Sequence, residues 1–102
     1  MELNIQNKEE FIEKIKQGKV LVDFYAVWCG PCNMLSPLIE KLCEDHPEIL
    51  VIKINVDEAP EIAAQYNIYS IPTLLLFNDG ELKKTQTGFL PEPSLKRFVG
   101  IE

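Results

Sequence analysis

The four residues Cys29-Gly30-Pro31-Cys32 stand between an apolar run, Val20-Leu21-Val22-Asp23-Phe24-Tyr25-Ala26, and a stretch with helical periodicity. This junction restricts the possible folds more than any other feature of the chain. The run is β-branched and aromatic in places and interrupted by a single charge, Asp23, as in a strand covered on both faces of a sheet. Leu35, Leu38, Ile39 and Leu42 then recur at three- and four-residue steps, so Gly30 to about Asp45 reads as a helix. The two cysteines therefore sit where a buried strand hands over to a helix N-terminus. Pro37 lies inside that helix and has no amide to offer the Asn33 carbonyl, which predicts a bend.

The remaining pattern alternates in the same way. Leu3 to Ile5 is a short apolar opening; Asn7 and Glu10 then read as a capping pair for a helix with the stripe Phe11, Ile12, Ile15, closing near Gly18. Ile49 to Val56 predicts another strand, and Pro60 starts a short helix carrying Ile62, Ala63 and Tyr66. Thr73 to Phe77 and Glu81 to Thr87, joined by the turn residues Asn78-Asp79-Gly80, predict an antiparallel hairpin. Leu95, Phe98 and Val99 mark a last helix, entered through Pro91 and Pro93 and stopped by Gly100. The order βαβαβαββα defines an α/β class: a mixed central sheet of about five strands flanked on both faces by about four helices. Length suits one domain over residues 1–102.

Composition removes whole classes of function. A net charge of −6 makes the average surface repel a phosphate backbone or an anionic bilayer, so no nucleic acid and no membrane partner is expected. No stretch approaches the roughly 18 apolar residues that span a bilayer. Met1-Glu2-Leu3-Asn4 lacks the basic start and apolar run of a signal peptide, so a cytoplasmic location is expected.

Three cysteines are too few for a disulfide scaffold, and a C-x-x-C pair alone suits either redox chemistry or half of a zinc site. Zinc needs a second ligand pair. The remaining candidates, Cys43 and His46, fall on the same helix as Cys32, and the rise of about 1.5 Å per residue puts Cys43 roughly 16 Å along the axis. No metal is expected. Cys43 reads as a small core residue on the apolar stripe and His46 as a surface residue at the helix end. For redox chemistry the spacing is apt, because two cysteines at the mouth of a helix can close a small disulfide ring. Cys29 faces unpaired amides and the positive end of the dipole, which favours its thiolate. Cys29 is thus the expected nucleophile, and Cys32 resolves the mixed disulfide, moving two electrons with no bound cofactor beyond the Cys29–Cys32 disulfide itself.

Trp28-Cys29-Gly30-Pro31-Cys32, preceded by Val22-Asp23-Phe24-Tyr25-Ala26 and followed by Ile71-Pro72-Thr73, resembles the thioredoxin family over nearly the whole chain. Lys53 within Val51 to Asp57, the internal Pro37, Phe77-Asn78-Asp79-Gly80 and Gly88 extend the resemblance. Glutaredoxins usually place Pro-Tyr between the cysteines and disulfide isomerase domains Gly-His; Gly30-Pro31 is similar to the reducing branch. The resemblance implies a thioredoxin fold and a thiol-disulfide oxidoreductase that reduces protein disulfides, is recycled by a thioredoxin reductase and acts as a monomer. It assigns catalytic roles to Cys29, Cys32, Asp23 and Lys53. Burial among Val22 and Phe24 should raise the pKa of Asp23, which in the family serves Cys32, with Lys53 as its charge partner. It also implies that Pro72 is cis, placing the backbone of Ile71 beside the dithiol to pair with an extended substrate segment. Trp28, Gly30, Pro31, Ile71, Pro72, Gly88 and Phe89 would form a shallow apolar docking rim around an exposed sulfur.

Asn33, Val27 and Tyr25 depart from the commonest pattern, where a cation, a polar residue and a tryptophan are frequent. Two other functions remain open at this stage. One is a redox-gated binding or regulatory subunit, the other a more oxidising oxidoreductase or isomerase relative.

Overall fold

The computed structural model describes residues 1–101. Their elements follow as β1 (Glu2–Asn4), α1 (Lys8–Lys14), β2 (Lys19–Tyr25), α2 (Gly30–Asp45), β3 (Leu50–Asn55), α3 (Pro60–Gln65), β4 (Thr73–Asn78), β5 (Glu81–Thr87) and α4 (Glu92–Val99). The strands form one mixed sheet in the order β1-β3-β2-β4-β5. β3 runs parallel to both β1 and β2, while β4 is antiparallel to β2 and β5 to β4. A parallel pair needs a crossover, and α2 supplies it between β2 and β3.

The two-residue period of β2 decides the layers. Val20, Val22 and Phe24 point to one side, where they meet Phe11 and Ile15 from the α1 segment and Ile62 and Ala63 of α3. Leu21 points to the other, into a core with Leu35, Ile39 and Leu42 of α2 and Leu95, Phe98 and Val99 of α4. Asp23 follows Leu21 by two residues and so faces α2. Register places it opposite Lys53 of β3, which likewise follows Val51 on that face. An unbroken apolar strand with one charge thus delivers that charge to the inside of the α2 layer.

Local chemistry fixes the ends. Asn7 Oδ1 accepts the Glu10 N–H at 2.8 Å, the expected cap of α1. The hairpin turns on Asp79 (φ 52°) and Gly80 (φ 87°), the left-handed pair whose twist matches that of the flanking strands. The Asp79 carboxylate also accepts the Gly18 N–H at 2.7 Å, tying the hairpin to the start of β2.

Two expectations about burial need correction. Ile12 is 39% exposed, because α1 has only seven residues and turns Phe11 to the core, with its C-cap Ile15 four residues on. Cys43 is half-buried at the border of the α2–α4 layer rather than within it, since its position lies at the edge of the stripe set by Leu35, Ile39 and Leu42.

Candidate active site

At the end of β2 the chain leaves the sheet through Ala26, whose carbonyl accepts the Cys29 N–H at 3.2 Å. Cys29 is the N-cap of α2, with extended backbone (φ −89°, ψ 112°), and its Sγ accepts the Cys32 N–H at 3.2 Å. One of the four amides that a helix start leaves unpaired is therefore aimed at this sulfur. Pro31 occupies the first turn, where no amide is needed and its fixed φ suits the helix. The Asn33 N–H then bonds the Cys29 carbonyl at 3.1 Å, opening the regular ladder.

Cys29 and Cys32 are joined as a disulfide, with Cα atoms 5.3 Å apart. The expectation of an openly exposed sulfur does not hold: Cys29 and Cys32 retain only 5% and 3% of their surface. Ala26 packs with the pair, and Tyr25, Val56 and Ile71 close around it.

The rim residues come together at this sheet end. Trp28 is 70% exposed, so it is no core aromatic; its Nε1–H donates to Asp57 Oδ2 at 2.9 Å, and the Asp57 N–H in turn donates to Asn55 Oδ1 at 2.9 Å. The Ile71–Pro72 bond is cis, and the Ile71 carbonyl oxygen lies 3.9 Å from Cys29 Sγ. The Gly88 N–H donates to the Pro72 carbonyl at 2.8 Å, which ties the residues after β5 to this loop. Gly30 and Pro31 are exposed, Phe89 borders solvent, Ile71 and Gly88 are half-buried, and Pro72 is buried. Val27, Met34 and Tyr69 add exposed apolar surface. Met34 and Tyr69 were not singled out in the sequence.

A polar cluster meets α2 at Ser36, one helical turn from Cys32. Asp23 is 1% exposed, and Lys53 Nζ approaches its Oδ2 to 3.6 Å with 11% of the lysine side chain accessible. Burial raises the Asp23 pKa from 3.8 to about 6, against the opposing pull of Lys53; the like charge of Glu2 adds a smaller push upward. Lys53 Nζ also donates to Ser36 Oγ at 3.2 Å and sits 4.6 Å from the centroid of the Tyr25 ring. Cys32 and Ser36 are four residues apart on α2, hence on one helix face, so the face that carries the second cysteine is also the one that reaches the Asp23–Lys53 pair. Ser36 was missed in the sequence, although its four-residue step from Cys32 is the signal that finds it.

Among the described residues, no three His, Cys, Asp or Glu side chains gather closely enough to hold a metal ion. A helix-capping cysteine bonded to the cysteine of the same first turn defines a dithiol-disulfide oxidoreductase. Comparison with known proteins gives the same class. The thioredoxin family model matches residues 2–100. The chain is 39% identical over 97 residues to the thioredoxin of Chlamydia trachomatis, covering 95% of each chain. It is 44% identical over 92 residues to that of Bacillus subtilis, covering 89% of this chain and 88% of the other. Among solved structures it superimposes on oxidised mitochondrial thioredoxin 3 of Saccharomyces cerevisiae with a TM-score of 0.87 at 37% identity, covering 95% and 92% of the two chains. The chain belongs to the thioredoxin family, and Cys29–Cys32 is its redox-active pair.

Proposed function

We propose that the protein reduces disulfides of partner proteins in the cytoplasm, acting as a monomer and returned to its dithiol form by a thioredoxin reductase. The observation that carries this reading is the Cys32 N–H aimed at Cys29 Sγ from 3.2 Å. In the dithiol form that amide and the helix dipole favour negative charge on Cys29. The Cys29 thiolate attacks one sulfur of the substrate; a mixed disulfide forms and the first substrate thiolate leaves. Cys32, giving its proton to Asp23, then attacks Cys29 Sγ, re-forming the Cys29–Cys32 bond and releasing the second thiolate. Two electrons pass to the substrate, whose two thiolates take up the two protons given up by the dithiol.

Lys53 balances the charge that Asp23 carries between these steps. The backbone of Ile71, in contact with Cys29, offers an edge for an extended substrate segment, flanked by Trp28, Gly30, Pro31, Pro72, Gly88 and Phe89. Cys29→Ser is expected to abolish turnover of a protein disulfide and to form no mixed disulfide, whereas Cys32→Ser should accumulate one through Cys29. Turnover that survives Cys29→Ser would sink the assignment. A biological effect that survives loss of both cysteines would mark a binding module instead.

A further inference from the structure

Lys53 does not give its ammonium to Asp23 alone. Its Nζ donates to Ser36 Oγ at 3.2 Å and rests against the Tyr25 ring at 4.6 Å, yet stays 3.6 Å from Asp23 Oδ2. Both Asp23 oxygens are buried with no hydrogen-bond partner. An unrestrained lysine beside a buried carboxylate closes to about 2.7–2.9 Å, the range of charge-assisted N–H···O contacts. Three groups here divide one cation.

From this arrangement we propose that Ser36 and Tyr25 are positioning residues for the redox reaction, holding Lys53 short of Asp23 so that the carboxyl can take up and return the Cys32 proton. This rests on the reading above that Asp23 exchanges a proton with Cys32.

Each holder is itself fixed. Ser36 belongs to α2, one turn from Cys32, so its hydroxyl cannot follow the lysine without moving the helix that carries the reacting sulfur. Tyr25 follows Asp23 by two residues on β2, and its hydroxyl donates to Asn4 Oδ1 at 3.3 Å; Asn4 is the β1 neighbour of Lys53 in register. The ring is thus tethered over the ammonium. A serine hydroxyl and an aromatic face attract a cation without bringing an opposing charge of their own. A carboxylate at either position would capture the ammonium outright.

The groups facing Asp23 are few. β3 contributes Lys53, β1 the like-charged Glu2 and β2 the Tyr25 phenol; α2 reaches the pair through Ser36 on Lys53, and β4 offers only Leu74 in register. Burial is what raises Asp23 from 3.8 to about 6, and the nearby Lys53 opposes that rise without cancelling it.

The test follows the Asp23 carboxyl by 13C NMR titration in the oxidised protein, where neither Cys29 nor Cys32 titrates, together with the pH profile of disulfide reduction. In Ser36→Ala the lysine loses its hydroxyl partner and closes on Asp23. The proton-binding constant of Asp23 should fall by about tenfold, and the acid limb of the rate profile should move to lower pH with it. Tyr25→Leu should shift both the same way, and Ser36→Thr, which keeps the hydroxyl, should restore both. An Asp23 midpoint that stays in place or rises in Ser36→Ala overturns the inference, and one that does so only in Tyr25→Leu removes Tyr25 from it. The Asp23→Asn variant separates it from its premise. A limb that persists in Asp23→Asn refutes the proton-exchange reading, whereas a limb that vanishes there but does not move in Ser36→Ala refutes the positioning role alone.

Discussion

Replacing Asp23 by asparagine tests the burial of this carboxyl through stability as well as through rate. Folding takes Asp23 to 1% exposure and raises its pKa from 3.8 to about 6. The folded chain therefore binds this proton more tightly than the unfolded one. Its stabilising contribution is complete below about pH 4 and is lost as pH rises through about 6. Moving from 3.8 to about 6 at 1.36 kcal/mol per pH unit amounts to about 3 kcal/mol, with no discount for solvent screening at so buried a site.

Asparagine does not titrate. Its own pH-independent effects, an extra buried amide and the lost protonated partner, offset the two stability curves by a constant. The gap between Asp23→Asn and the parent should then widen in favour of the variant by about 3 kcal/mol between pH 4 and pH 8. With a urea dependence of about 1–3 kcal/mol per molar for a small protein, the midpoints separate by a further 1–3 M or so. Urea unfolding of both oxidised proteins across that range, with the disulfide intact, reads the difference directly. A gap that stays constant with pH would refute the claim that desolvation governs Asp23.

Two other expected outcomes are simpler. In the reduced protein at neutral pH, iodoacetamide should label Cys29 faster than Cys32, as mass spectrometry of the tryptic peptides would record; equal or reversed rates would remove the argument from the helix start. Asn7→Ala removes the Oδ1 that caps α1 and should cost about 1 kcal/mol in thermal or urea unfolding, while disulfide turnover stays at the parental rate because α1 lies on the sheet face opposite Asp23.

The order of elements is legible in the sequence because short continuous apolar runs give way to apolar residues at three- and four-residue steps, and because Asn7, Pro60 and Gly100 punctuate the helices. Asp23 stands out for the same reason: it is the single charge in a run that otherwise reads as covered. Its contact with Lys53 is another matter. Residues thirty apart meet only once β2 and β3 are known to be adjacent, parallel and in register, and that follows from the sheet order rather than from either strand. Pairing these two rested on resemblance, as did the cis form of the Ile71–Pro72 bond, which base rates oppose. Ser36 escaped notice because a serine on a helix carries no signal until its neighbour across the layer is fixed. Tyr69 and Met34 escaped because apolar residues at a loop or helix start look the same whether they line a rim or a core, and only the exposure of the finished fold separates them. Ile12 shows the converse, an apolar residue in phase with a stripe that a two-turn helix is too short to bury.

The outermost strand β5 leaves one side of its backbone amides and carbonyls open, which would let another polypeptide extend the sheet. Its sequence discourages that. Glu81 and Lys83 pair at 2.7 Å on this strand, and Lys84 folds over the sheet face to donate to the Phe98 carbonyl at 3.2 Å, so the edge strand carries charged and tethered side chains. Adding a second copy there would have to break into these contacts, a built-in deterrent to fibre growth along the sheet.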